Sequence, residues 1–198
     1  MGAKEMIEEG LYLVQNDPRH DLNVSFRCRL ISSFDEADGD AGRRQRVRLG
    51  ALGVRKVLPT WESLFPDDQT ARRALELADD LLAGSVLATI AEKEMGALWT
   101  RCDDLSWKHP DKQSVVMVGY GAIQVIREAL SERHFGCENV NSQSTDRDVG
   151  PYDHDSAFCA AIAYSGGATW GKGSDPQKRL EFWTWWLNYA VPAAMDNA

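Results

Sequence analysis

This chain of 198 residues reads as an all-α protein: a single compact domain of about seven or eight helices, with antiparallel helix pairs packed around a tryptophan-rich C-terminal helix. Three observations predict that fold. Apolar residues recur at helical spacing in segment after segment. The composition, 43% apolar with seven tryptophans, supplies a real core. The stretch DPQKRLEFWTWWLNYAVP (Asp175–Pro192) holds three of those tryptophans within four residues. On a helical wheel its apolar side chains sweep roughly 240°, leaving Glu181, Thr184 and Asn188 on the remaining arc. A helix apolar over that width is surrounded by other elements. At about 1.5–3 kcal/mol per buried large side chain, it contributes on the order of 10 kcal/mol. Trp183 and Trp186 are structural residues on this reading.

The elements follow in order. Residues 4–16 form a short peripheral helix that Asp17-Pro18 ends. His20 to Phe34 is a second helical segment, with Asp21 as its cap. DEADGDAG (Asp35–Gly42) is a polar loop, and Gly42 to Phe65 is a long helix that Pro59 should kink or split. Its basic run, Arg43, Arg44, Arg46 and Arg48, reads as a solvated face. Pro66 to Thr70 is a turn and cap leading to a helix that stops at Gly84. Ser85 caps a partner helix running to about Leu105, with Leu87, Ala91, Leu98, Cys102 and Leu105 in one apolar stripe. KHPDK (Lys108–Lys112) is a loop. Ser114 to His134 opens with strand-like composition, but its length and the continuation IQVIREAL favour a buried helix. Gly119, Gly121 and Ala122 would let a neighbouring helix approach closely. Residues 136–150 are loop-like and the best candidate for a flexible segment. Asp155 or Ser156 opens a small apolar helix that Gly166-Gly167 ends. Asp175 then caps the tryptophan helix, Pro176 takes its first position and Pro192 marks its stop. The tail 193–198 is peripheral.

Bulk properties narrow the function. No apolar run approaches the ~20 residues of a membrane span, and the start MGAKEMIEEG has no signal-peptide pattern. The four cysteines, Cys28, Cys102, Cys137 and Cys159, are far apart and form no C-x-x-C pair. Reduced buried thiols in a cytoplasmic protein are the expectation, ahead of disulfides or a zinc site. A net charge of −8 argues against nucleic-acid binding and suits a basic partner.

The local motifs do not assemble a catalytic set. Gly119-Tyr120-Gly121 lacks the third glycine of a dinucleotide fingerprint, where Gln124 stands. GGATWGKG (Gly166–Gly173) approaches a P-loop, but Gly173 replaces the Mg²⁺-holding Ser or Thr and a helix precedes it. Asp153-His154-Asp155, with His134, Asp146, Asp148 and Asp175 available, is the one arrangement that would suit a metal-dependent hydrolase. Asp155 is already explained as an N-cap. Arg179 lies inside the apolar arc and needs a carboxylate, for which Asp153 or Asp155 is the candidate.

VLPTWESLFPDD (Val57–Asp68), VGYGAIQVIREAL (Val118–Leu130), YDHDSAFCAAIAYSGGATW (Tyr152–Trp170) and KRLEFWTWWLNYAVP (Lys178–Pro192) resemble the fifth-numbered family of immunity proteins from bacterial polymorphic-toxin systems. HDLNVSFRCRLISSF (His20–Phe34) is similar to the family's start, so the likeness covers roughly residues 18–192. The resemblance implies a mostly helical intracellular antidote that binds and blocks a cognate toxin, with no catalytic residues, metal or cofactor. It carries over no contact residues. Exposed acids are the candidates for a basic toxin: Asp67, Asp68, Glu76, Asp79 and Asp80 on one helical pair, and Asp146, Asp148 and Asp153 by the long loop. A metal-dependent hydrolase built on His154 and its neighbouring Asp residues, or a helical scaffolding domain, is the alternative. Monomer or homodimer stays open.

Overall fold

In the computed structural model, which describes residues 2–36, 40–132, 134, 137, 140–150 and 152–196, the chain is helical throughout. The elements are α1 (Ala3–Asn16), α2 (Val24–Ser32), a 3₁₀ turn (Ser33–Glu36), α3 (Asp40–Leu64), α4 (Thr70–Ala83) and α5 (Ala88–Lys108). A 3₁₀ turn (Pro110–Lys112), α6 (Gln113–Leu130), α7 (Ser156–Ser165), α8 (Pro176–Trp185), a π-helical turn (Trp186–Ala190) and α9 (Val191–Met195) follow. No strand occurs among the described residues.

The central helix is α6, which packs against α3, α4, α5 and α7. Its sequence explains why. Val116, Val118, Ala122, Ile123, Val125 and Ile126 are all fully buried, so the helix has core on nearly every side. The two glycines set the closest approaches. A Cβ on Gly119 would stand 2.8 Å from the Trp61 ring and 2.6 Å from the Cys102 sulfur. One on Gly121 would stand 3.0 Å from the Cys159 Cβ. The expected close approach thus serves three neighbours, α3, α5 and α7.

The tryptophan helix is buried as expected, against α1, α3 and α7. Phe182, Trp183, Trp186 and Leu187 are inaccessible to solvent. The apolar arc is narrower than the wheel predicts: Tyr189 is 57% exposed, stacked on the half-buried Trp185. Pro192 does not stop the helix. A π-helical turn intervenes, with the Val191 N–H reaching back to the Trp186 carbonyl, and α9 then carries Pro192 near its start. The register change absorbs the proline's missing donor. Pro59 likewise sits inside the unbroken α3. It and Arg55, whose carbonyl the proline leaves without a helical donor, are both exposed, so water can satisfy that oxygen.

Three local expectations are corrected. The cap of α2 is Asn23, which accepts from the Phe26 N–H at 2.8 Å, and Asp21 is employed elsewhere. Ser85 does not cap α5; its hydroxyl donates to the Asp80 carbonyl, and α5 starts only at Ala88. Leu87, expected in the inward stripe, is exposed. The thiol expectation fails in half: Cys28 and Cys137 are joined in a disulfide, while Cys102 and Cys159 are free and buried. The end of α6 returns the chain to α2 and sets the two Cα atoms 5.8 Å apart, a juxtaposition that spacing cannot reveal. Burial pushes both free thiols well above their ordinary range, which makes them inert.

Candidate interaction surface

The polar residues singled out by the sequence divide sharply into an internal set and an external one. The internal set is organised by three arginines that are buried among the described residues, Arg27, Arg46 and Arg179. Arg27 on α2 binds Asp146 with two nitrogens, donates to Asp155 at 2.8 Å and to the Leu22 carbonyl. Its guanidinium also lies 5.2 Å from the Phe158 ring centre and 5.6 Å from that of Trp183. Burial would lower the arginine's pKa, but Asp146 and Asp155 outweigh it and raise it. For Asp155 burial is again the largest influence, yet the Arg27 charge and the Phe158 N–H together hold its carboxyl below the usual range. Burial wins at Asp146, which is pushed up despite its ion pair. Asp155 is the α7 N-cap, as expected, with the Phe158 N–H at 2.8 Å.

Arg46 departs from the solvated face predicted for its run: it is buried, paired with Glu128 at 3.0 Å and with Asp35, and donates to the Ser131 carbonyl. Arg179 does have a carboxylate partner, but it is Asp21 at 2.8 Å, not Asp153 or Asp155. The Gly167 carbonyl takes a second Arg179 nitrogen, and the Trp183 indole donates to the same Asp21 oxygen. GGATWGKG is the connection from α7 to α8. Gly166 ends α7 at φ 84° and Gly173 has φ 113°, two left-handed positions that suit glycine.

Asp153, His154 and Asp155 do not converge. Asp153 pairs with Arg127, His154 rests its Nε2 against the Asp146 carbonyl and its ring on Phe158, and Asp155 faces Arg27. Asp146, expected among the exposed acids, is a core residue, because Arg27 needs a buried counter-charge. It also anchors residues 140–150 to α2.

The other acids face outward in varying degree. Asp67 is exposed. Asp68 is mostly covered; burial raises its carboxyl, but the Thr70 N–H and the Arg101 guanidinium hold it below the usual range. Glu76, Asp79 and Asp80 are half-exposed and pair with Arg73, Arg55 and Arg73 respectively. Asp148 caps its own turn through the Thr145 N–H and hydroxyl.

The surface feature that the sequence reading missed belongs to α5. This helix buries only Ala91, Cys102 and Leu105. Beside it opens a cleft of about 580 Å³ lined by Trp99, Asp103, Tyr120, Gln124, Tyr152, His154, Phe158 and Trp170, among others. Trp99 packs its ring 5.3 Å from both Tyr120 and Tyr152. The Tyr120 hydroxyl donates to Asp103 at 2.5 Å. Two buried polar atoms of the cleft residues, the Trp99 indole nitrogen and the Gln124 Oε1, have no hydrogen-bond partner among the described residues. Of the lining residues, Tyr152 is 62% exposed, and Trp107, further along the same helix as Trp99, is 86% exposed. The signal was available: Trp99 and Trp107 fall off the stripe of Leu87, Ala91, Leu98, Cys102 and Leu105 that the helical wheel assigned to the core.

Internal charges spent on holding helices together, with aromatic groups and acids left outside, define an all-helical domain. The family model of Immunity protein Imm5 matches residues 7–193, nearly the whole chain, and the chain belongs to that family. No curated protein matches it. No helix among the described residues is long and apolar enough to cross a membrane.

Proposed function

We propose that this protein is the cytoplasmic antidote to a cognate polymorphic toxin, which it neutralises by covering the toxin's active or target-binding surface. The observation that carries this reading is the family match over residues 7–193. The contact region we assign is the exposed side of α5 with its cleft. Trp107 and Tyr152 are large aromatic anchors of the kind that dominate protein interfaces. The net charge of −8 favours a basic toxin, such as a nuclease domain. Asp67, Glu76, Asp79, Asp80, Asp148 and Asp153 would contribute chiefly to its rate of approach, since rim charges act on association more than on affinity. The protein acts without a cofactor and without catalysis.

The test is co-expression with the toxic domain encoded by the neighbouring gene. Wild-type protein should rescue growth and co-purify with that domain. Trp107→Ala and Tyr152→Ala, both exposed, should fold normally and weaken binding by about 2 kcal/mol or more each, as interface anchors do. Full affinity in the double variant would move the interface off α5. An Asp153→Ala/His154→Ala variant should still rescue; a folded variant that fails would favour hydrolysis instead.

A further inference from the structure

A second set of side chains lies apart from the α5 cleft and has no part in the reading above. Cys28 projects from α2, and His134 and Cys137 follow the end of α6. One ligand atom from each, two sulfurs and a ring nitrogen, lie within 4.8 Å of one another. Cys28 and His134 are 8% and 9% exposed. His134 is held from two sides. Its Nδ1 is hydrogen-bonded to Glu128, and its backbone N–H donates to Asp35. Glu128 and Asp35 are themselves fixed by Arg46. A carboxylate that orients an imidazole standing beside two sulfurs is the outer shell typical of a metal-bound histidine.

We propose that, with both thiols reduced, Cys28, His134 and Cys137 bind a zinc-class divalent ion. Thiolate and imidazole donors select soft or borderline ions such as Zn²⁺ over Mg²⁺ or Ca²⁺, which require oxygen. Three protein ligands leave the fourth tetrahedral position to water. Zn–S bonds of about 2.3 Å would hold the sulfurs roughly 3.8 Å apart in a tetrahedron. Side-chain rotation of the two cysteines can open that separation across their 5.8 Å Cα spacing.

The disulfide and the metal site exclude one another, because only thiolates ligate. Reduction of the disulfide takes two electrons and two protons. Two small-molecule thiols supply them and leave joined as their own disulfide. Zn²⁺ then displaces the two cysteine protons. Cys28 also lines an open cleft of about 480 Å³ with Arg29, Ser32, Val140 and Asn141, through which an ion and a thiol can reach it. Either form ties α2 to the segment after α6, across 109 residues of sequence.

The test is titration of the full-length protein with Co²⁺ after anaerobic reduction with a phosphine. The expected result is a thiolate-to-cobalt charge-transfer band and the intense visible bands of a tetrahedral site, saturating at one equivalent and abolished by Zn²⁺. Cys102→Ser/Cys159→Ser keeps the bands; Cys28→Ser and Cys137→Ser lose them. His134→Ala weakens the metal by at least about tenfold. On unmutated protein, Zn²⁺ should protect Cys28 and Cys137 from alkylation, read by peptide mass spectrometry, so the result does not depend on the variants folding. Reduced wild-type protein with no thiolate–cobalt band, or with no protection of these two cysteines, overturns the proposal.

Discussion

Replacing Arg27 by methionine is the most direct probe of what holds this fold together. Methionine keeps an unbranched stem of similar reach but removes the charge shared by Asp146 and Asp155, both buried. Breaking a buried pair from one side costs about 3–5 kcal/mol, because the partner is left uncompensated. The cation's contacts with Phe158 and Trp183 are lost as well, within that range. For a protein of this length the loss corresponds to roughly 6–20 °C in Tm. The assay is urea unfolding at several pH values. In the wild type the depressed Asp155 carboxyl contributes stability that is full above the ordinary carboxylate range and fades as pH falls through its folded value. In Arg27→Met burial acts with no cation against it at Asp146 and with only the Phe158 N–H kept against it at Asp155, so both carboxyls move up and the sign reverses. The variant should gain stability as pH drops from 7 toward the carboxylate range, and its deficit should shrink. Adding Asp146→Asn and Asp155→Asn, which remove the charges and keep an N-cap, should restore all but about 1–2 kcal/mol. A loss below about 1 kcal/mol at pH 7, or a deficit that grows on acidification, would refute the account.

Gly119→Ala should destabilise by about 1–3 kcal/mol in the same unfolding assay, because its new methyl collides with Trp61 and the Cys102 sulfur. Trp183→Ala, at a fully buried position, should cost about 3–5 kcal/mol. Tyr189→Ala, one turn and a half further on and largely exposed, should cost under about 1 kcal/mol by calorimetry. Asp21→Ala should lower Tm far more than Asp153→Ala, since the first strands the buried Arg179 and the second only loosens a half-exposed pair with Arg127; equal effects would reassign Arg179's partner.

Most of the fold could be read from the residues. The α7 cap at Asp155, the stop at Gly166, the Asp175-Pro176 start and the buried glycine-bearing helix all rest on short-range chemistry, and each stands as expected. The misses share a physical cause. Pro59 and Pro192 look like breaks only when tertiary packing is ignored; an exposed carbonyl and a π turn accommodate them. Arg46 looks like one more surface cation until α6 brings Glu128 to it. The carboxylate for Arg179 was rightly required, but the nearest acids in sequence were the wrong ones, since Asp21 comes from the opposite end of the chain. Periodicity put Trp99 and Trp107 off the α5 stripe but could not say which of them lines a cleft, because Tyr152, Phe158 and Trp170 come from elsewhere in the chain.

The arginine pairings also set an order on how the chain matures as it is made. Arg46 meets Glu128 across 82 residues, Arg27 meets Asp155 across 128, and Arg179 meets Asp21 across 158. Each contact closes only after its later partner has left the ribosome, and the last waits for α8. Asp21 and Arg27 therefore wait as hydrated charges until Arg179, and Asp146 and Asp155, have been made, and contacts of such long range slow docking. The clamp on α2 and on the segment before it is made by residues that follow α6 and by α8, so none of it can form before those parts of the chain exist.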